Sequence, residues 1–167
     1  MLQLQPFRPA HAAEICTWPK NETEFYYWSA GKLGDYPAQP ATMLRFYAEP
    51  ANRFCGLFAA YDANGLYGHC TLRFTDASKR ALRLGFIILN PVCRGKGYGK
   101  EMLRLALSYT GQHFPGLPVT LGVFAANTPA IRCYQAMGFQ YTGEEKTLPL
   151  PNGQVWTYRI MQFQPSL

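Results

Sequence analysis

The stretch from Arg83 to Thr110, RLGFIILNPVCRGKGYGKEMLRLALSYT, constrains the fold more than any other, because its hydrophobic pattern changes period in mid-course. From Leu84 to Leu89 the chain is apolar except for Gly85. The run is too short for a helix and rich in Ile and Phe, which predicts a strand covered on both faces. Asn90-Pro91 ends it, since proline removes a ladder donor. The next segment, Arg94-Gly95-Lys96-Gly97-Tyr98-Gly99-Lys100, is glycine-rich and basic. Met102, Leu103, Ala106 and Leu107 then recur at helical spacing, with Lys100, Arg104 and Ser108 on another face. Gly111 and Pro115 read as stop signals for that helix.

Alternating glycines at a helix start have a physical use. Without Cβ atoms the backbone turns sharply and its N–H groups approach a ligand. The first amides of the helix have no internal partner and carry roughly half a positive charge together. Such a turn suits phosphate oxygens, and Arg94, Lys96 and Lys100 add positive charge around it. A solvated basic loop is the plainer alternative. Two nucleotide loops do not fit. A P-loop ends in Gly-Lys-Ser or Gly-Lys-Thr, whereas Gly99-Lys100 is followed by Glu101, and Arg94 stands where its first glycine belongs. A dinucleotide turn beginning at Gly95 and Gly97 would have Lys100 in place of its third glycine.

What does fit is an Arg or Gln, a Gly three residues on, and a Gly or Ala two further, met by Arg94, Gly97 and Gly99. With its preceding strand and following helix, this segment resembles the acetyl-CoA-binding segment of the GCN5-related N-acetyltransferase (GNAT) superfamily. A second block, VTLGVFAANTPAIRCYQAMGF from Val119 to Phe139, again reads as strand then helix, with Asn127-Thr128-Pro129 as the helix start. The family's second signature is an Asn opening this helix, a Tyr seven residues later and Gly-Phe at its end. Asn127, Tyr134, Gly138 and Phe139 match it. The resemblance covers about Leu82 to Tyr141. It implies one GNAT domain over residues 1–167, an α/β (α+β) fold whose mostly antiparallel mixed sheet is flanked by helices.

The resemblance also implies roles. Backbone groups of Ile87, Ile88 and Leu89 would pair with the pantetheine arm as an added strand, and one of their amides would face the charge developing on the thioester carbonyl. Amides from Gly95 through Lys96, Gly97, Tyr98 and Gly99 to Lys100, following Arg94, would cradle the pyrophosphate. Asn127 would bond the arm or order the site. Tyr134 is the family's usual proton donor to the departing thiolate. The implied reaction moves acetyl from acetyl-CoA directly to a primary amine of a small molecule or peptide. No Cys lies in a recognisable nucleophile setting with a base, which favours direct attack.

This chain departs from the family at the base. Many relatives use a Glu on the central strand or the next one, and here those positions hold Arg83 and Gly122. An alkylammonium costs about 4–5 kcal/mol to deprotonate at neutral pH. Either Glu24, Asp35 or His69 acts through water, or the acceptor amine has a lower pKa; for His69, on a predicted strand, a hydrogen-bonded structural histidine is the default. The acceptor pocket is expected from Phe25 to Tyr36, where Tyr27, Trp28 and Tyr36 belong to a dense aromatic group suited to an apolar or cationic acceptor. Glu22, Glu24 and Asp35 would suit an amine. The missing Glu also leaves open a non-catalytic acyl-CoA-binding or sensing module.

Composition narrows the remaining classes. The chain has 167 residues, 48% of them hydrophobic and 16% charged, which is globular rather than disordered. The net charge of +6 admits a nucleic-acid partner. The basic residues form no run beyond Arg94 to Arg104, however, and a polyanionic donor accounts for that cluster. No apolar run is long enough for a membrane span, and the N-terminus lacks the pattern of a signal peptide. Cys16, Cys55, Cys70, Cys93 and Cys133 are odd in number with no C-x-x-C, as expected of free thiols in a reducing cytoplasm. No metal site is expected. Family members are often dimers, so a homodimer is an expectation by resemblance.

Outside the two blocks, Leu2–Phe7 predicts a first strand, and a helix is expected from Arg8 to about Trp18. Residues 21–41 show little periodicity, and a short helix follows over Thr42–Glu49. Phe54–Tyr61 and Leu66–Phe74 read as a hairpin about Asp62-Ala63-Asn64-Gly65. Gln140–Leu148 and Gln154–Phe163 read as a second hairpin about Pro151-Asn152-Gly153.

Overall fold

A computed structural model of the protein describes residues 1–166. Seven strands make one sheet: β1 (Gln3–Pro6), β2 (Phe54–Asp62), β3 (Gly65–Phe74), β4 (Leu82–Leu89), β5 (Val119–Phe124), β6 (Phe139–Pro149) and β7 (Val155–Phe163), in the order β1-β2-β3-β4-β5-β7-β6. The helices are α1 (Ala12–Ile15), α2 (Glu22–Ser29), α3 (Pro40–Ala48), α4 (Tyr98–His113) and α5 (Thr128–Ala136). All neighbouring strands are antiparallel except β4 and β5, which are parallel and joined through α4. The expected mixed, mostly antiparallel sheet with flanking helices is therefore the observed one.

The two faces of the sheet bury different sets. Met102, Leu103 and Ala106 of α4 pack with Leu72, Leu82, Leu84, Leu121 and Val123. Ile15, Trp18, Phe25, Tyr26, Met43 and Tyr47 pack with Ala59, Ile88 and Phe124. Side chains alternate across a strand, so Val123 and Phe124 serve opposite faces. The helix expected from Arg8 to Trp18 shortens to a 3-10 turn at Pro9–His11 and α1. The stretch read as lacking periodicity contains α2, started by the Asn21 side chain accepting from the Glu24 amide at 2.9 Å and ended by Ala30 in the left-handed region. Its buried face, Phe25, Tyr26, Trp28 and Ser29, escapes a periodicity search because it is broad and two of its members carry hydroxyls.

Two features of β4 make the site. First, it pairs with β5 only over Leu82–Leu84, opposite Val119–Leu121. From Gly85 onward the two strands part, and β5 continues against β7 alone. Second, the register with β3 runs from His69 opposite Ile88 to Thr71 opposite Gly85, so β4 carries an extra residue there. Phe86 sits in this bulge with φ +48°, uncommon for a residue with a Cβ. Its surroundings hold it. Trp28 Nε1 donates to the Phe86 carbonyl at 3.1 Å, and its ring lies among Trp28, Phe46, Tyr47 and Phe54.

Gly111, expected as a stop, instead lies inside α4, which runs to His113. A Cβ there would meet nothing within 4 Å. Gly111→Ala should therefore raise stability by about 0.5–1 kcal/mol. Gly122→Ala should lower it, because a Cβ at Gly122 falls inside the Tyr158 ring. Thermal melts of the two variants beside wild type check both directions.

Candidate active site

The cleft begins where β4 and β5 part. With no strand beside Gly85–Leu89 on the β5 side, the outward backbone groups of Ile87–Leu89 have no ladder partner there among the described residues. At the end of β4 an Asn90-capped 3-10 turn, Pro91–Cys93, leads into the glycine turn. Gly95 and Gly97 adopt φ +75° and +86°, and a Cβ on either would meet nothing within 4 Å. Only glycine takes that conformation without strain. Gly97 is the N-cap of α4, so the first amides of the helix, at Tyr98, Gly99 and Lys100, point out of its end. The turn offers convergent N–H groups beside the open edge of β4, the arrangement that holds phosphate.

The basic side chains of this turn have separate duties. Arg94 is half-buried and tied to the protein: its guanidinium pairs with Glu24 at 2.9 Å and donates to the carbonyls of Trp18 and Leu89. Lys96 donates to the Val92 carbonyl at 2.9 Å, and Tyr98 Oη donates to Asp62 at 2.9 Å. What the turn presents to a ligand is therefore backbone amides together with the exposed Lys100 side chain.

Beyond the open edge lies a cavity of about 260 Å³. Tyr27, Trp28, Ser29 and Lys32 line it from α2 and the turn after it, and Gly85, Phe86 and Ile87 from the bulge. Gly122, Tyr134 and Tyr158 complete the part nearest the splay. Tyr134, on α5, is 8% exposed and packs edge-on to Phe139. Burial pushes its phenol well above the usual range, so it stays protonated. Asn127, at the start of α5, is half-buried, and its side chain makes no cap bond.

The structure separates the candidates for the base. Glu24 is occupied by Arg94 and by the Lys20 amide, which outweigh burial and lower its pKa, and it does not line the cavity. Asp35 and Tyr36 are exposed and also outside it. His69 is fully buried on the β2–β3 ladder, away from the cavity lining. Its Nδ1–H donates to the Phe58 carbonyl at 2.7 Å, so its Nε2 accepts from Tyr47 O–H at 2.7 Å. Burial lowers it to about 4. It is a satisfied structural histidine. Arg83 and Gly122 do line the cavity, as expected of the two positions that lack a Glu. At Gly122 the space a side chain would take is filled by Tyr158.

Sequence reading missed Arg53, Phe54, Arg73 and Tyr158 of the lining. They lie outside both signature blocks, and only strand register assembles them. No cysteine lines the cavity, and burial raises both Cys93 and Cys133, leaving thiols rather than thiolates. Among the described residues no cluster of His, Cys, Asp and Glu could hold a metal ion, and no helix is long and apolar enough to cross a membrane.

Comparison with known proteins identifies the family and the fold. Residues 13–139 match the profile described as the acetyltransferase (GNAT) family. The spermine/spermidine N(1)-acetyltransferase of Bacillus subtilis is 32% identical over 90 residues, 53% of this chain and 51% of that protein. The chain thus spans about half the length of the curated relatives it matches. Among solved structures, spermidine N-acetyltransferase from Vibrio cholerae in complex with CoA and spermine superposes with a TM-score of 0.78 at 22% identity, over 97% of this chain and 94% of that one. An aminoglycoside acetyltransferase in complex with coenzyme A gives 0.72 at 16% identity, over 96% and 94%. At these identities the likeness is one of fold.

Proposed function

The chain belongs to the acetyltransferase (GNAT) family, and we propose that it transfers the acetyl group of acetyl-CoA directly to a primary amine of a small molecule or peptide. One observation carries this reading: the parting of β4 from β5, with a glycine-capped helix N-terminus at one end of the opening and a cavity holding a buried tyrosine beyond it. The opening suits an extended arm with a phosphate head, and the cavity suits its reactive end together with an acceptor. The relatives' names, which concern acetyl transfer to polyamines, point to the same chemistry.

In this reading the amides from Gly95 to Lys100 bind the pyrophosphate, and Ile87, Ile88 and Leu89 bind the pantetheine arm through their backbone. An amide of the bulged strand faces the thioester oxygen, where charge develops as the amine attacks. Asn127 orders the arm beside α5. The carbon–nitrogen bond forms, the nitrogen gives up its proton to water, and the carbon–sulfur bond breaks, with Tyr134 Oη stabilising the departing thiolate by donating a hydrogen bond. Tyr27 and Trp28 flank the acceptor. The thioester supplies the activated acyl group, and the enzyme supplies orientation and electrostatics.

Incubation with acetyl-CoA and a broad panel of amines, read by mass spectrometry, tests the proposal. Mass detection avoids the background that the five cysteines would give in a thiol-release assay. Acetylated product on at least one amine is the expected result. Acetyl-CoA bound, with no product on any amine, would instead favour a binding or sensing module, the reading that Arg83 and Gly122 in place of a Glu support.

A further inference from the structure

The cavity is cationic. Among the described residues Lys32, Arg53, Arg73 and Arg83 line it, and no Asp or Glu does. Arg73 and Arg83 are register partners across β3 and β4, so their side chains leave the same side of the sheet at the same level. Both are half-buried. Like charges placed directly opposite each other repel, and neighbouring Arg83 and Arg53 add to burial in lowering the pKa of Arg73.

Among the described residues no acidic side chain neutralises this pair. Among the described residues no carboxylate lies within ion-pairing distance of Arg53, Arg73 or Arg83. Exposed Asp76 is near enough to feel Arg53, but it is not paired with it. Each of the two half-buried guanidiniums makes one internal side-chain bond, Arg73 Nη1 to the Phe74 carbonyl at 3.2 Å and Arg83 Nε to Thr120 Oγ1 at 3.3 Å. A guanidinium has five N–H donors, so most of theirs remain for a ligand. A further polar group lacks a partner at the same place: Ser29, a cavity-lining residue 1% exposed, has its Oγ buried without a hydrogen bond.

We infer that the acceptor is an amine that also carries an anionic group, a carboxylate, phosphonate or phosphate, held by Arg73 and Arg83 with Arg53 and Lys32 drawing it in. The inference rests on the acetyltransferase reading of this cavity and names its substrate class. A planar, forked guanidinium matches the oxygens of such groups. The same charges disfavour a polycationic acceptor, which separates this chain from the polyamine enzymes it resembles. They also bear on the missing base. Nearby positive charge disfavours an ammonium, so the bound amine loses its proton more readily than in water. The cationic wall thus positions one end of the acceptor and helps expose the lone pair at the other.

The test compares matched acceptors with acetyl-CoA: L-phenylalanine beside its amide, 2-aminoethylphosphonate beside ethylamine, and spermidine as the polycation. The anionic member of at least one pair should show kcat/KM about tenfold or more above its partner and above spermidine. Arg73→Gln and Arg83→Gln should raise the KM for that acceptor about tenfold while leaving the KM for acetyl-CoA unchanged. Lys32→Gln, at an exposed position, should raise it less. Uncharged amines or spermidine used equally well or better, or arginine variants that keep the wild-type KM, would overturn the inference and leave acetyl transfer standing. If no amine is acetylated, the enzymatic reading fails, and thermal shifts with the same compounds decide the subsite. Stabilisation by the anionic amines that Arg73→Gln abolishes would uphold it, and no stabilisation would overturn it.

Discussion

Tyr134→Phe should lower the turnover of acetyl transfer about tenfold or more, with acetyl-CoA binding little changed, because only the hydroxyl is removed from a residue otherwise held by packing. The energetics say what that hydroxyl does. A phenol near its ordinary pKa is already a weaker acid than a thiol, so complete proton transfer to a thiolate is uphill by about 2 kcal/mol. Burial raises Tyr134 further, which widens the gap. In the proposed reaction the hydroxyl therefore serves as a fixed hydrogen-bond donor to the sulfur as charge develops there, a contact stronger in the transition state than in the bound thioester. A loss in kcat with the KM for acetyl-CoA unchanged is the signature of such a contact. Because the folded protein keeps the phenol protonated, the pH–rate profile of the wild type should carry no limb from Tyr134 through the neutral range. Wild-type turnover in Tyr134→Phe would remove it from the mechanism.

The second large effect is on stability. His69 is buried as a neutral imidazole whose two nitrogens are both used, one donating to the Phe58 carbonyl and one accepting from Tyr47. Its folded pKa is lowered to about 4 from a model-peptide value of 6.5, chiefly by burial. A group depressed on folding binds more protons in the unfolded state, so its contribution is complete above about pH 6.5 and is lost as the pH falls toward about 4. Across that window the shift corresponds to about 3 kcal/mol. That is a sizeable part of the 5–15 kcal/mol that holds a typical domain folded. Denaturant unfolding at several pH values between 7 and 4.5 should show this slope in the wild type and a flatter one in His69→Gln. Equal slopes would show that another group titrates. His11, also lowered by burial, is the control to vary next.

Much of the geometry behind the proposed cofactor half of the site was legible in the residues. Arg94, Gly97 and Gly99 mark the turn because a left-handed N-cap and open amides need glycine at fixed positions. Asn127 and Tyr134 mark α5 because they share one short helix and its start. The acceptor half was only partly legible. Tyr27 and Trp28 reach the cavity, whereas Glu24 is tied to Arg94, and Asp35, Tyr36 and His69 lie elsewhere. The acidic residues of that stretch, Glu22, Glu24 and Asp35, would suit an amine, and none of them lines the cavity.

The division follows from the range of the interactions. Glycine punctuation, helix period and a capped strand end act within a few residues, so the sequence by itself determined the strand–turn–helix units and the glycine turn between them, the phosphate site of the proposed reading. The wall facing the acceptor depends on contacts between distant segments. The β2–β3–β4 hairpins set Arg73 opposite Arg83 and bring Arg53 beside them, and the β5–β7 ladder lays Tyr158 over Gly122. One extra residue at Phe86 then turns β4 away from β5 and opens the cleft. Strand register is decided by the packing of both sheet faces at once, and a one-residue slip would send every one of these side chains to the other side. Only the tertiary structure could therefore decide that the cavity is lined by arginines and not by carboxylates.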